Sequence, residues 1–297
     1  MLHSKYYSPI ISGFFMEKIR YFIQTKSLGL YINLLSFWNP EKATMLAYQH
    51  FSHPREGRLL KENLPQVLQD AITETLHLDE DHFQTYTWEG NETVTLLIHG
   101  WESNASRWEK FLPYLKESGH TIVAVDAPAH GLSSGDEFDI PQYARYIDII
   151  IQKYQPKYII GHSMGGIASV YYQYYYTDHN LQKMVLLGAP SDFRILIDNY
   201  GKLLSLKPSM RRLLVAIMRR KFAIEIKDFS GTYFLKDTTL NGLIVHDTND
   251  SVVAFSESKK LSSTWKHATF LETSGLGHSM HDDELYRKII AFLEKTE

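Results

Sequence analysis

The chain has 297 residues, of which 44% are hydrophobic and 22% charged, a composition that can bury a large core and is unlike that of a disordered protein. A formal charge of −3 gives no overall basic field, which sets nucleic acid aside as the expected partner. The absence of cysteine excludes a disulfide framework, a thiolate metal site and a cysteine nucleophile.

The first residues, Met1 to Pro9, are polar and tyrosine-rich and lack the basic start, apolar run and small-residue cleavage site of a secretory signal, so a cytoplasmic location is expected. The apolar stretch Ser27 to Trp38 is interrupted by Asn33 and is too short to cross a bilayer. Between Ile10 and Tyr48, apolar residues such as Phe14, Phe15, Ile19, Phe22 and Ile23 recur at steps of three and four, which predicts amphipathic helices. The breaker-rich run His53 to Gly57 then precedes a weakly helical region ending near His77. Residues 1–80 are therefore read as a helical extension packed on the main domain. Peripheral membrane contact, suggested by Lys18, Arg20 and Lys26 among aromatics, is ranked below that docking.

Residues 81–297 change rhythm and are read as one domain. Apolar runs at Phe83 to Trp88, Thr93 to Ile98, Thr121 to Val125, Tyr158 to Ile160, Lys183 to Leu187, Leu243 to Val245 and Ala268 to Leu271 predict strands. Between them lie the predicted helices Ser106 to Lys116, Gln142 to Lys153, Met164 to Tyr176, Ser256 to Ser262 and Asp283 to Glu294. The alternation implies a mostly parallel α/β sheet covered on both faces. At about 191–237 the strand rhythm gives way to a helical insertion carrying Arg211, Arg212, Arg219, Arg220 and Lys221. An insertion at that point of a doubly wound sheet is expected over the carboxyl ends of the strands, as a lid; its charges are read as a solvated face.

The strongest motif is Gly161-His162-Ser163-Met164-Gly165, directly after a predicted strand and directly before an apolar helix. A serine nucleophile there needs a turn so tight that side chains at Gly161 and Gly165 would clash, and the following helix turns its amides toward developing negative charge. Serine also needs a base. His278, in Gly275-Leu276-Gly277-His278-Ser279, falls between the last strand and the last helix. His281 lies three residues on, but no third ligand completes a metal site, so no metal and no cofactor are expected. In His246-Asp247-Thr248-Asn249-Asp250, two acids compete to orient the base. Asp250 is preferred because more loop lets it reach inward, with Asp247 as the alternative. Asp126 precedes the serine and is assigned a structural or substrate-side role. Two amides must hold an oxyanion, and they are assigned to Met164, which follows the serine, and to Trp101, in His99-Gly100-Trp101. The run Tyr171 to Tyr176 is read as core packing on the helix after Ser163.

At these residues the chain resembles the α/β-hydrolase superfamily, whose members carry nucleophile, acid and base in the order Ser163, Asp250, His278. His99-Gly100-Trp101 resembles the oxyanion-loop motif of that family. Asp126 to Ser133 resembles its Asp-x-Pro-Gly-His-Gly-x-Ser segment with Ala129 in place of glycine, and His246 to Asp250 resembles its His-Gly-x-x-Asp segment with Asp247 in place of glycine. The resemblance covers roughly Phe83 to Glu297 and implies an α/β-hydrolase fold and a serine hydrolase, carboxylesterase-like, that forms an acyl-enzyme on a small-molecule acyl substrate. The alternative from another class is a catalytically silent protein of the same fold that binds a small ligand or protein partner. Substrate-binding residues and oligomeric state are left unassigned.

Overall fold

The predicted apolar runs become strands of a single eight-stranded sheet in a computed structural model that describes residues 9–176, 179–222 and 229–295, with side chains from Arg20 onward. The strands are β1 (Ile72–Leu78), β2 (Asp81–Trp88), β3 (Asn91–Ile98), β4 (His120–Val125), β5 (Tyr158–His162), β6 (Lys183–Leu187), β7 (Asn241–Asp247) and β8 (Ala268–Thr273). The helices are α1 (Pro9–Leu35), α2 (Pro40–Ser52), α3 (Gln66–Gln69), α4 (Leu112–Glu117), α5 (Ile140–Tyr154), α6 (Met164–Tyr175), α7 (Phe193–Leu203), α8 (Pro208–Phe222), α9 (Gly231–Leu235), α10 (Ser256–Thr264) and α11 (Asp283–Glu294).

The sheet order is β1-β2-β4-β3-β5-β6-β7-β8. β1, β2 and β4 pair antiparallel, and every pairing from β4 through β3 to β8 is parallel. β5 and β6 are buried at all five of their positions, as central strands covered on both faces must be, whereas β8 closes the sheet and is half-exposed. The reversal of strand order on either side of β3 is the kind of switch point at which open α/β sheets bind ligands.

Local chemistry sets the helix starts. The Asp139 carboxylate accepts a 2.6 Å bond from the Gln142 amide with proline in the first turn of α5, and Asp282 caps α11 through the Leu285 amide at 2.8 Å. The helix expected over Ser106 to Lys116 is instead split into a 3₁₀ turn, Ala105–Trp108, and α4. Pro113 lacks an N–H to continue the first segment and starts a new one. The region expected to be weakly helical up to His77 ends as a strand, because Thr73, Thr75, Leu76 and Leu78 suit an antiparallel edge paired to β2.

The chain folds as two compact units, residues 1–51 with 194–226, and residues 52–193 with 227–297. The second contains the whole sheet. In the first, α1 and α2 are joined by α7 and α8, the main part of the insertion; residues 223–228 of that insertion lie outside the described residues. The tie is tight. A Cβ at Gly29 would fall 1.6 Å from the Leu204 carbonyl oxygen, the Lys26 ammonium donates to the Leu203 carbonyl at 2.7 Å, and Asn33 exchanges bonds with Ser205 and Lys207. Tyr200 packs edge-on against Phe51 and donates to the Ala47 carbonyl at 2.9 Å.

Candidate active site

Ser163 stands where β5 ends and α6 begins, with φ 53° and ψ −119°, a backbone state that a residue with a Cβ adopts only under constraint. The neighbours supply the constraint. A Cβ at Gly161 would lie 2.7 Å from the Gly165 oxygen, and one at Gly165 would lie 2.3 Å from the Ile98 oxygen, so both positions require glycine for close backbone approach. The Ser163 amide donates to the Leu187 carbonyl at 2.8 Å, which fastens the turn to the end of β6.

His278 and Asp250 arrive at the same end of the sheet. His278 Nδ1 lies 2.7 Å from Asp250 Oδ2, and the Asp250 side chain is fully buried. A Cβ at Gly188, the residue after β6, would sit 3.4 Å from both atoms, so the pair borders the end of β6, the strand to which the Ser163 turn is fastened. The His278 ring also lies 4.7 Å, centroid to centroid, from the ring of His162, the residue before Ser163. The sequence-derived serine, acid and histidine thus converge on the ends of β5, β6 and β7.

Burial pushes the Asp250 carboxyl up, but bonds from His246, His278 and the amides of Val253 and Val252 more than reverse this and hold it far below the usual carboxylate range. One oxygen, Oδ1, accepts the Val252 and Val253 amides at 2.8 and 2.9 Å, which leaves Oδ2 for the imidazole. A second imidazole flanks it. His246 Nε2 lies 3.3 Å from Oδ2 and 3.0 Å from the Val253 carbonyl, while Nδ1 bonds the Ser258 hydroxyl. His246 carries no role predicted from sequence, although a His and an Asp four residues apart on a loop was the available signal.

The competing acid has another occupation. Asp247 is fully buried and accepts from the Leu276 amide, the Thr273 hydroxyl and the Asn249 amide, each at 2.9 Å, so its carboxylate anchors the loop that carries His278. Gly275 and Gly277, at φ +87° and +63°, let that loop turn. His162 Nε2 donates to the His278 carbonyl at 2.8 Å and Arg107 to the Ser279 carbonyl at 3.1 Å, two further anchors that residue types and spacing do not reveal. His281 bonds the Tyr286 hydroxyl at 2.6 Å. Asp126 is buried and accepts from the Tyr86 hydroxyl and the amides of Ala105 and Leu132, which places it among structural groups.

The two amides assigned to an oxyanion are carried on segments in contact. A Cβ at Gly100 would lie 2.9 Å from the Ser163 Cβ and 3.2 Å from the Met164 nitrogen, so the Gly100-Trp101 turn packs directly on the serine turn. His99, fully buried, fixes that turn: its Nδ1 binds the Gly100 carbonyl at 2.7 Å and its Nε2 accepts the Ala127 amide at 2.9 Å. Burial, reinforced by the charge of His130, drives the His99 pKa well down and keeps the ring neutral. Because the peptide is planar and trans, holding the Gly100 oxygen also fixes the direction of the Trp101 N–H. Of the tyrosine run, Tyr171 and Tyr172 are buried and Tyr175 is 47% exposed, so core packing accounts for its first half.

A sequence profile of the α/β-hydrolase fold matches residues 94–223, a span that includes the Ser163 turn and the Gly100-Trp101 turn. Over that span the chain is similar to the α/β-hydrolase superfamily, and its fold is the α/β-hydrolase fold. In fold the chain is similar to an esterase from Rhodococcus sp. ECU1013, with TM-score 0.59 and 18% identity, covering 77% of this chain and all of that one. Mouse α/β-hydrolase domain-containing protein 10 gives TM-score 0.60 and 15% identity over 75% of this chain and 97% of that one. By sequence the chain is similar to a human serine hydrolase-like protein, 31% identical over 101 residues, 32% of this chain and 49% of that protein. An abhydrolase domain-containing protein of Dictyostelium discoideum is 28% identical over 158 residues, 50% of this chain and 16% of that protein. The chain thus spans less than half the length of these two curated relatives. Among the described residues no helix is long and apolar enough to cross a membrane.

Proposed function

We propose that the protein is a serine hydrolase that cleaves a carboxylic ester or a related acyl compound through an acyl-enzyme, and that it is carboxylesterase-like in its chemistry. The observation that carries the reading is the 2.7 Å bond between His278 Nδ1 and Asp250 Oδ2 at the sheet end where the Ser163 turn stands. With Nδ1 donating to the carboxylate, Nε2 is left unprotonated to accept the hydroxyl proton. As Ser163 Oγ attacks the acyl carbon, His278 takes its proton, and the carbonyl oxygen becomes an anion facing the amides of Trp101 and Met164. The imidazolium then gives its proton to the departing alkoxide. Water, deprotonated by the same ring, releases the acid and restores the serine. Asp250 stabilises the imidazolium without taking its proton. The helical insertion at about 191–237 is proposed as the lid that sets which acyl compounds enter.

The test is labelling by a fluorophosphonate probe, followed by turnover of p-nitrophenyl esters of increasing acyl length. Labelling of the wild type that disappears in Ser163→Ala, with a defined optimum in acyl length, is the expected result. An unlabelled wild type, or a label that persists in Ser163→Ala, overturns the reading and leaves the silent binding protein in its place.

A further inference from the structure

We propose that the helical unit made by residues 1–51 and 194–226 is a docking surface for anionic lipid, which it engages from the water side without spanning the bilayer. The inference is independent of the esterase reading.

Charge is the first observation. The unit contains 13 Lys and Arg against 4 Asp and Glu, a formal +9, and the rest of the chain holds the other 18 basic and 30 acidic residues, a formal −12. A whole-chain value of −3 therefore hides a strongly basic segment, and such asymmetry between parts of a chain accompanies binding to polyanionic surfaces. On α8, Arg212, Arg219, Arg220 and Lys221 are exposed.

The second observation is which way α1 faces. Its inward side buries Thr25, Gly29 and Ile32, with Leu28 and Leu35 partly buried, while Ile23, Leu30 and Leu34, which fall on one face at helical spacing, are 56%, 60% and 45% exposed. Beyond the helix end Phe37 and Trp38 are 70% and 78% exposed. The helix is thus apolar on its outward side as well as its inward one, unlike a surface helix that keeps a polar face to water. Isolated exposed apolar residues need no explanation, but a row of them running into two exposed aromatics does.

Charge complementarity selects the occupant. Aliphatic and aromatic side chains entering the acyl boundary beside Lys and Arg at the phosphates is the pattern of a membrane-surface helix. A second copy docking through the same patch would place two +9 surfaces against each other. A nucleic acid would use the arginines and leave Ile23, Leu30 and Leu34 unexplained.

Co-sedimentation of the full chain with vesicles of 30:70 phosphatidylserine:phosphatidylcholine and of pure phosphatidylcholine tests the proposal. Binding to the anionic vesicles at least about tenfold tighter than to the neutral ones, and weakened by salt, is expected. Phe37→Ser with Trp38→Ser should weaken it about tenfold, and Arg212→Glu with Arg219→Glu and Arg220→Glu should abolish the preference for phosphatidylserine. All five side chains are exposed, so circular dichroism and Tm should match the wild type. No sedimentation, or equal partition into both vesicles, overturns the proposal. So does sedimentation equilibrium showing a dimer that Phe37→Ser with Trp38→Ser dissociates, or retention of DNA without retention of vesicles.

Discussion

At the scale of single residues, the two carboxylates of the loop after β7 divide the work between them. Both are buried and both are held below the ordinary carboxylate range, yet Asp250 faces an imidazole and Asp247 faces two main-chain amides and the Thr273 hydroxyl. Asp250→Asn should lower kcat for an activated ester by about 10⁴, because the amide no longer favours the tautomer with a proton on Nδ1. Asp247→Asn should act mainly on stability, lowering Tm, with a smaller loss of kcat through a loosened His278 loop. Equal losses of kcat at matched folded fractions would reassign the acid. Loop reach, a property of spacing, was the sequence's ground for preferring Asp250 over Asp247, and the structure puts Asp250 Oδ2 2.7 Å from His278 Nδ1. It could not show that Asp247 binds Leu276 and Thr273, because those partners lie on another strand and its loop. For the same reason the anchoring by His162 and Arg107 was not legible: both act on main-chain oxygens, and a carbonyl leaves no trace in residue identity.

At the scale of elements, the parallel strands were readable because central strands in a doubly covered sheet are continuous apolar runs bounded by breakers. β1 was not, since an edge strand with exposed Ile72 and Thr73 need not follow that pattern. The grouping of α1 and α2 with α7 and α8 was equally hidden, for it joins segments more than 140 residues apart. The strand-turn-helix at Ser163 carries its own prediction. A positive φ at a residue with a side chain costs about 1–3 kcal/mol, and glycine removes most of that while gaining some freedom in the unfolded chain. Ser163→Gly should therefore raise stability by about 1 kcal/mol, roughly 2–4 °C in Tm, while eliminating ester turnover. Gly165→Ala should do the reverse to the fold, losing about 2–3 kcal/mol because its Cβ would enter the end of β3. Thermal melts of the two variants check both signs.

At the scale of the whole molecule, the fold buries several imidazoles that stay neutral near neutral pH. Burial, with the charge of His130 or Arg107 adding to it, drives His99 and His162 well below the ordinary histidine range, and burial brings His130 to about 4. In the unfolded chain these rings take up protons near pH 6.5, so below that value the unfolded state binds protons that the native state refuses, and stability falls as pH falls. For fully buried His130 the loss saturates below about pH 4 at roughly 3 kcal/mol. The depressed carboxylates Asp247 and Asp250 act in a lower window, since their unfolded counterparts protonate only near pH 3.9. Calorimetry should thus show Tm declining between pH 6.5 and 5, with His130→Gln shallower than wild type; a flat Tm over that range contradicts the account.

A central strand is gripped along both edges, whereas a terminal one has a single ladder to lose. β8, which delivers the loop of His278, is terminal, and β5, which delivers Ser163, is flanked on both sides. Hydrogen exchange should find the amides of β8 unprotected long before those of β5. In mild urea the molecule would keep its alcohol mounted on an intact scaffold while its proton acceptor drifts away, so hydrolysis would cease ahead of any change in bulk fluorescence.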